Sequence, residues 1–316
     1  MKHYLGIDLG GTDIKAGVVR EDYTVAVRHS IPTLPERSAI EVIADMAAAG
    51  KAALEMAGLS EADVTYVGIG VPGMIDCNTR HIINANNLDW KDVDLIGIFR
   101  DLWEIPVLLA NDADVAALAE VLAGAAKGYD DAIMLTLGTG IGGGLVFNRQ
   151  VYTGGDGYGT EPGHIIIVAG GEQCTCGLRG CFEAYASVTG LIRDTIRAMA
   201  ESPDSIMCKL CDGDVSRVDG RTPFEAAKLG DAAGKRVVDS YIGYLATGIV
   251  SIINLLRPQA IIVGGGVSNA GDALFIPLRE AVASSTWDPD VTGVTPVLRA
   301  ALGNDAGMIG AALLGA

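Results

Sequence analysis

Residues 6–19 read GIDLGGTDIKAGVV, and residues 134–147 read MLTLGTGIGGGLVF. Aligned without gaps, each is an apolar run, a Gly/Thr turn and a second apolar run. Gly10-Gly11-Thr12 falls on Gly138-Thr139-Gly140. Short apolar runs bounded by glycine are strand signals, and the glycines between them make a tight turn. The recurrence of strand, turn and strand points to a duplicated domain. Glycine-rich hairpins are common, so chance is the competing account.

Outward from these hairpins, strands are expected over residues 3–8, 14–19 and 24–29, a helix over 39–57, and a buried strand over 64–71 closed by Pro72-Gly73. Residues 80–90 (RHIINANNLDW) read as a polar loop with three Asn. A short helix over 94–103 and a strand over 106–110 lead to Asn111-Asp112 and a helix over 113–123. In the second half one helix is expected over 182–200, then an irregular segment over 201–220, then helices over 222–229 and 232–256. A strand over 259–263 runs into Gly264-Gly265-Gly266. A helix over 272–284, a strand over 294–298 and a closing helix over 305–314 complete the chain. Alternating strands and helices in each half give an α/β fold with mixed sheets covered by helices.

The 316 residues are enough for two sizeable cores, and 49% hydrophobic against 20% charged residues fits a compact chain. Net charge is −16, from 39 acids and 23 bases, with no Lys/Arg cluster, so nucleic acid is not an expected partner. The N-terminus enters a strand without a signal-peptide pattern. The apolar run over 240–256 falls short of the ~20 apolar residues of a spanning helix and reads as buried. A cytoplasmic protein with no membrane partner is expected, and six Cys then suggest metal or free thiols before disulfides.

Three glycine turns follow strands, at 10–12, 138–140 and 264–266. Without a Cβ, such turns let backbone N–H groups close around phosphate oxygens. None matches a P-loop or a spaced Gly-x-Gly-x-x-Gly. Asp8 beside the first turn is a candidate for orienting Mg²⁺, or a turn-capping Asp. Asp112 reads equally as a general base, with Asn111 orienting a substrate, or as an N-cap. Residues 161–183 (EPGHIIIVAGGEQCTCGLRGCFE) hold His164, Cys174, Cys176 and Cys181, the donor set of a closed structural zinc site. The alternative is three reduced thiols without a metal. Glu161 and Glu183 flank the set as spare carboxylates. Cys208 and Cys211 lack further ligands and read as incidental thiols.

Together these motifs resemble the ROK family of repressors, open reading frames and sugar kinases, over nearly the whole chain. The resemblance rests on Asp8-x-Gly10-Gly11-Thr12, Pro72-Gly73, Asn87-Leu88 before Trp90, Asn111-Asp112-Ala113, Leu137-Gly138-Thr139-Gly140, Glu161-x-Gly163-His164, Cys174-x-Cys176-Gly177-x-x-Gly180-Cys181-x-Glu183 and Gly264-Gly265-Gly266. Asp114, Gly159-Thr160 and Pro162 depart from common family choices without removing a motif residue.

The resemblance implies the two-lobed actin-like, hexokinase-type ATPase fold, with duplicated ribonuclease H-like domains and a cleft between. The lobes would be residues 1–121 with 303–316, and residues 122–302 carrying the zinc loop. ATP with Mg²⁺ would be held by Asp8, Gly10, Gly11, Thr12, Gly138, Thr139, Gly140, Gly264, Gly265 and Gly266. A hexose would meet Gly73, Asn87, Asn111, Glu161, His164 and Glu183, with Asp112 as the catalytic base. His164 would also join Cys174, Cys176 and Cys181 on structural Zn²⁺. The implied activity is ATP-dependent phosphorylation of a hexose at its 6-hydroxyl, glucose first. N-acetylmannosamine, N-acetylglucosamine, allose and fructose are alternative sugars, and polyphosphate or ADP alternative donors. A sugar-responsive repressor or sensor is the non-enzymatic alternative. The family also implies a homodimer or a dimer of dimers.

Overall fold

A computed structural model describes residues 2–316. Its strands in chain order are β1 (His3–Leu9), β2 (Asp13–Arg20), β3 (Val25–Pro32), β4 (Val67–Val71), β5 (Met74–Ile75), β6 (Ile82–Ala85), β7 (Trp90–Val93), β8 (Val107–Asn111), β9 (Ala132–Leu137), β10 (Ile141–Phe147), β11 (Gln150–Tyr152), β12 (Ala260–Gly264) and β13 (Val297–Arg299). They form a sheet of order β3-β2-β1-β4-β8, a second of order β11-β10-β9-β12-β13, and a small sheet β5-β6-β7.

The two large sheets correspond strand for strand. β1 and β2 are antiparallel, as are β2 and β3, while β4 adds parallel to β1 and β8 parallel to β4. In the other sheet β10 and β11 are antiparallel and β12 and β13 parallel. The two hairpins repeated in the sequence, β1-β2 and β9-β10, therefore occupy equivalent places in two copies of one sheet. Duplication, rather than chance, accounts for the repeat.

The chain divides into two compact units: residues 1–134, 144–160 and 301–316, and residues 135–143 and 161–300. The expected lobes placed 122–134 and 144–160 with the second half; here they belong with the first. In the first unit, helix Ala39–Met56 starts at a capping box. Ser38 Oγ accepts from Glu41 N, and the Glu41 carboxylate accepts from Ser38 N, so two end donors are satisfied. Its buried face, including Val42, Ile43, Met46 and Leu54, packs on Leu5, Ile7 and Ile69 of the sheet. The closing helix, Ala306–Ala312, comes back onto β1 and β4. It lies so close that a Cβ on Gly6 would sit 2.1 Å from Met308 O, and one on Gly68 1.7 Å from Ala311 O.

In the second unit, helix Ala232–Leu256 is long and apolar enough to cross a membrane by length and composition. Yet 61% of its most apolar window is buried within the protein, as a core helix requires. Gly248 gives it a seat against the ring of Phe182, 2.4 Å from where a Cβ would stand.

The local expectations fail in three places. Residues 80–90 are not all loop: they hold β6 and the start of β7, which pair antiparallel, Ile82 with Val93 and Ala85 with Trp90. Ile82, Ala85 and Trp90 are buried but do not alternate, since Ile83 and Asn84 between the first two are both exposed, so no period of two marks the strand. The single helix over 182–200 is two, Phe182–Ala186 and Val188–Glu201, because Ser187 is extended and caps the second through Gly190 N. The segment 201–220 holds a short helix, Ile206–Leu210, and a 3-10 turn, Val215–Arg217.

Candidate active site

In the first unit, β1, β8 and the small sheet bring six of the expected site positions, Asp8, Gly11, Gly73, Asn87, Asn111 and Asp112, into one neighbourhood. Asn111 ends β8 and is the N-cap of helix Asp112–Leu122: its Oδ1 accepts from Ala113 N at 2.8 Å. Its Nδ2 donates to Gly73 O at 3.0 Å. The capping role considered for Asp112 thus falls to Asn111, which leaves Asp112 in the first turn. There Asp112 Oδ1 also accepts from Ala113 N, at 2.9 Å. Gly73 has a left-handed φ of 97°, and a Cβ there would stand 2.1 Å from Asn84 O. Only glycine fits that turn. Asn87 lies in the 3-10 turn Asn86–Leu88, and its Cβ is 3.8 Å from the position a Cβ on Gly11 would take.

Asp8 sits in β1 between Lys15 and Gly70. Burial first, and the neighbouring Asp112 second, push its carboxyl up to about 6, against a smaller opposing pull from Lys15. Two carboxylates held close in a dry setting destabilise each other's charge, and a divalent cation relieves that. Asp8 therefore fits a Mg²⁺-orienting role better than that of a solvated turn cap.

The second unit holds the His/Cys donors and the two carboxylates that flank them. His164 Nδ1 is 3.8 Å from Cys174 Sγ, and Cys176 Sγ is 3.6 Å from Cys181 Sγ. All four donor atoms lie within 4.8 Å of one another. Tetrahedral zinc with Zn–S of about 2.3 Å sets sulfurs a little under 4 Å apart, so the donor set and its spacing fit that metal. The loop is shaped by an antiparallel bridge between Ile166 and Cys181, and Phe182 N donates to Ile165 O at 2.8 Å. Burial pushes the Cys181 thiol up to about 12; metal ligation is what would make it a thiolate.

The two carboxylates flanking this loop differ. Glu161 is exposed, yet partial desolvation raises its carboxyl, with a smaller push from Glu183, against a lowering from His164. Glu183 is bonded on both oxygens. Oε2 accepts from Ile141 N at 2.9 Å, and Oε1 accepts from Thr175 Oγ1 at 3.0 Å.

The three glycine turns share a device that the sequence did not reveal. In each, a hydroxyl ties down a turn carbonyl. Thr33 Oγ1 donates to Gly10 O at 2.8 Å, Thr189 Oγ1 to Thr139 O at 2.7 Å, and Ser268 Oγ to Gly265 O at 2.7 Å. Thr33 N reaches Thr12 O at 2.8 Å and Val188 N reaches Gly138 O at 2.9 Å. A carbonyl facing an anion repels it; bonding these oxygens to protein donors fixes which way the intervening N–H groups turn. The break at Ser187 is part of this arrangement, since it frees Val188 N. Thr33, Thr189 and Ser268 carry no motif signal because their partners are remote in sequence or hidden in a local turn.

The second and third turns abut. Gly265, at φ 84°, would place a Cβ 2.4 Å from Leu137 O. Beyond Gly266 opens a pocket of about 770 Å³ lined by Val188, Arg221, Phe224, Lys228, Val267 and Asn269 among others. A pocket of this size with mostly apolar walls and a few polar groups suits a nucleoside.

Comparison with known proteins agrees with these motifs. The chain is 38% identical over 309 residues to a glucokinase from Thermotoga maritima, covering 98% of this chain and 95% of that one. It matches a ROK family glucokinase from Streptomyces griseus, solved with glucose and AMPPNP, at TM-score 0.77 and 34% identity, over 99% of this chain and 98% of that one. A ROK hexokinase from Thermus thermophilus matches at TM-score 0.82 and 33% identity, over 99% and 97%. The α/β architecture is thus the actin-like, hexokinase-type fold expected from the sequence. The ROK family profile spans residues 4–316, and with it every motif described above: this chain belongs to the ROK family.

Proposed function

We propose that this chain is a sugar kinase that transfers the γ-phosphoryl group of ATP to the 6-hydroxyl of glucose. The observation that carries it is the placement of Asp112: first in its helix, sharing the Ala113 N–H with the N-cap Asn111, and close enough to Asp8 to raise that carboxyl. A carboxylate so held is suited to take a proton from a hydroxyl. The full-length similarity to glucokinases, one of them solved with glucose and AMPPNP, supports the choice of sugar and donor.

In this reading, Asn111, Gly73, Asn87, Glu161, His164 and Glu183 meet the sugar hydroxyls. A buried acceptor left unmatched by the wrong sugar costs about 1–3 kcal/mol, which is how such a site selects. Asp112 accepts the 6-hydroxyl proton as that oxygen bonds to the γ-phosphorus and the bond to the ADP oxygen breaks. Gly10 N donates to Asp13 O and Gly138 N to Gly140 O within their own turns, so the N–H groups of Gly11, Thr12, Thr139 and Gly140 receive phosphate oxygens, and the nucleoside takes the pocket beyond Gly264-Gly265-Gly266. Asp8 would hold Mg²⁺, directly or through water, and the cation would neutralise charge on the phosphates. His164, Cys174, Cys176 and Cys181 would hold zinc, whose contribution is rigidity of the loop bearing Glu161 and Glu183. The cytoplasm, where thiols stay reduced and ATP is supplied, is the compartment this reading implies.

The test is ADP release by the purified protein with a panel of hexoses and N-acetylhexosamines. Glucose should give the highest kcat/KM with ATP as donor. A higher value for an N-acetylhexosamine would reassign the substrate, and no sugar-dependent ADP release would remove the kinase reading.

A further inference from the structure

Ile141 is where the zinc loop and the second glycine turn are joined. Its N–H donates to Glu183 Oε2 at 2.9 Å. Its carbonyl is covered by Gly163, where a Cβ would stand 2.2 Å away. Both ends of the loop, the Glu161-x-Gly163-His164 side and the Cys181-x-Glu183 side, therefore meet on this one residue, directly after Gly138-Thr139-Gly140. Gly140 is fitted to the same contact, since a Cβ there would fall 2.2 Å from Glu183 Oε2.

The other oxygen of Glu183 is held by the residue between the first two cysteines. Thr175 Oγ1 donates to Oε1 at 3.0 Å, and Cys174 Sγ lies 3.5 Å from the same oxygen. A metal-bound thiolate has no proton to give, so with Cys174 ligated the Thr175 hydroxyl is the donor that keeps this oxygen in place. A carboxylate gripped at one oxygen alone can swing about its last torsion, which is broad and soft. One gripped at both oxygens cannot swing without losing a bond.

We propose that Thr175 is a positioning residue for the phosphoryl donor: by fixing Glu183 it fixes Ile141 N–H, and so sets the Gly138-Thr139-Gly140 turn that receives the donor's phosphates. Beside its own bond from Gly138 N to Gly140 O at 3.0 Å, the turn is held from outside at three points, by Val188 N on Gly138 O, by Thr189 Oγ1 on Thr139 O, and by Glu183 on Ile141 N. The first two grip carbonyls from one helix end, and the third grips the N–H on the far side. Loss of the third leaves the turn free to rotate on the side where its N–H groups are needed. The inference rests on the reading of that turn as a phosphate site, and extends it to a residue that the motif Cys-x-Cys leaves unspecified.

Thr175→Val keeps the side-chain shape and removes the hydroxyl; Thr175→Ser keeps the hydroxyl. AMPPNP binding to the zinc-loaded protein, measured by calorimetry, reads the turn without turnover, and zinc content is measured on the same samples. Thr175→Val should weaken AMPPNP binding about tenfold, near the lower end for one hydrogen bond to a charged acceptor because it acts through another group. It should retain one zinc per chain, and Thr175→Ser should restore the wild-type Kd. An unchanged Kd in Thr175→Val overturns the proposal, as does an equal loss in Thr175→Ser, or a loss that follows the zinc content. Wild-type protein that binds AMPPNP but turns over no sugar would remove the kinase reading and leave the role of Thr175 to be decided by these Kd values. Wild-type protein without affinity for AMPPNP would remove the phosphate turn and the proposal with it.

Discussion

Gly307, the second residue of the closing helix, lies directly against the carboxylate of Asp8. A Cβ at 307 would stand 2.4 Å from Oδ2, 2.5 Å from Cγ and 2.7 Å from Oδ1. The chain ends meet here, 299 residues apart in sequence, counted from 8 to 307. The atoms in the way belong to a side chain, so it is the carboxylate, more than the helix, that yields to an added methyl.

Gly307→Ala is accordingly expected to separate activity from stability. Displacing a metal-orienting carboxylate by about 1 Å costs of the order of 10²-fold in rate. The fold should lose little, because the helix keeps its seat on Gly6 and Gly68. Steady-state kcat and the thermal midpoint of the same preparation check this. Wild-type kcat in Gly307→Ala would take Asp8 out of the chemistry.

Asp8 itself carries a pH signature. Its carboxyl titrates at about 6 in the fold against 3.8 unfolded. Between these values the folded protein binds more protons than the unfolded chain, so this group's contribution to stability is full below pH 4, declines as pH rises through 6, and is flat above. The penalty at neutral pH is up to about 3 kcal/mol. Without Mg²⁺, Asp8→Asn should therefore melt higher than wild type at pH 7.5 and no higher at pH 4. Thermal melts at the two pH values decide it; equal differences at both would mean that Asp8 is not strained by its charge.

What the sequence made legible was local, and what it hid was tertiary. The two hairpins at Gly10 and Gly138 could be read because glycine spacing and apolar runs are properties of adjacent residues. The cluster of donor atoms could be read because His164, Cys174, Cys176 and Cys181 fall within one loop. Thr33, Thr175 and Thr189 could not, since a hydroxyl gives no periodic signal and its acceptor is set only when strands and loops meet. The hairpin of β6 and β7 was obscured because Asn84, Asn86 and Asn87 interrupt the buried Ile82, Ala85 and Trp90. Ser187 broke a helix that periodicity alone would continue.

Asp112→Asn should leave glucose affinity within a few-fold of wild type and lower kcat by about 10²–10⁴, the range of one general base. The amide keeps the shape, and Asn111 keeps the cap through Ala113 N. Calorimetric glucose binding beside kcat separates the two effects. A loss confined to KM would make Asp112 a sugar ligand rather than the base.

Zinc removal should act on the loop before the rest of the fold. Cys176 is exposed while Cys174 and Cys181 are buried, so a chelator has a way in through Cys176. Treatment should release about one zinc per chain, lower the thermal midpoint and reduce activity, with recovery on adding zinc back. Protein that is fully active with no zinc, purified under reducing conditions, would turn the four donors into a plain cluster of thiols and imidazole.

Glu120 is fully buried, at 0% exposure, and holds the chain where it re-enters the first unit. Oε1 accepts from both Ala301 N and Leu302 N at 2.8 Å, and Oε2 accepts from Ala125 N at 2.7 Å. Gly124 is kept clear for it, since a Cβ there would lie 2.1 Å from Oε2. Glu120→Ala would leave three backbone donors without this acceptor, at about 1–3 kcal/mol each, and should destabilise by more than ~3 kcal/mol, near the upper range for single changes. Glu120→Gln is isosteric: its oxygen can still serve Ala301 and Leu302, while its amide faces Ala125 N–H. It should cost roughly half as much, because one of the three contacts is reversed and the charge is lost from the others. Denaturant titration of the three proteins checks the order. Equal stability of the Ala variant and wild type would show that other acceptors or water replace the carboxylate; a Gln variant as unstable as Ala would show that its charge, and not its place, secures the crossing.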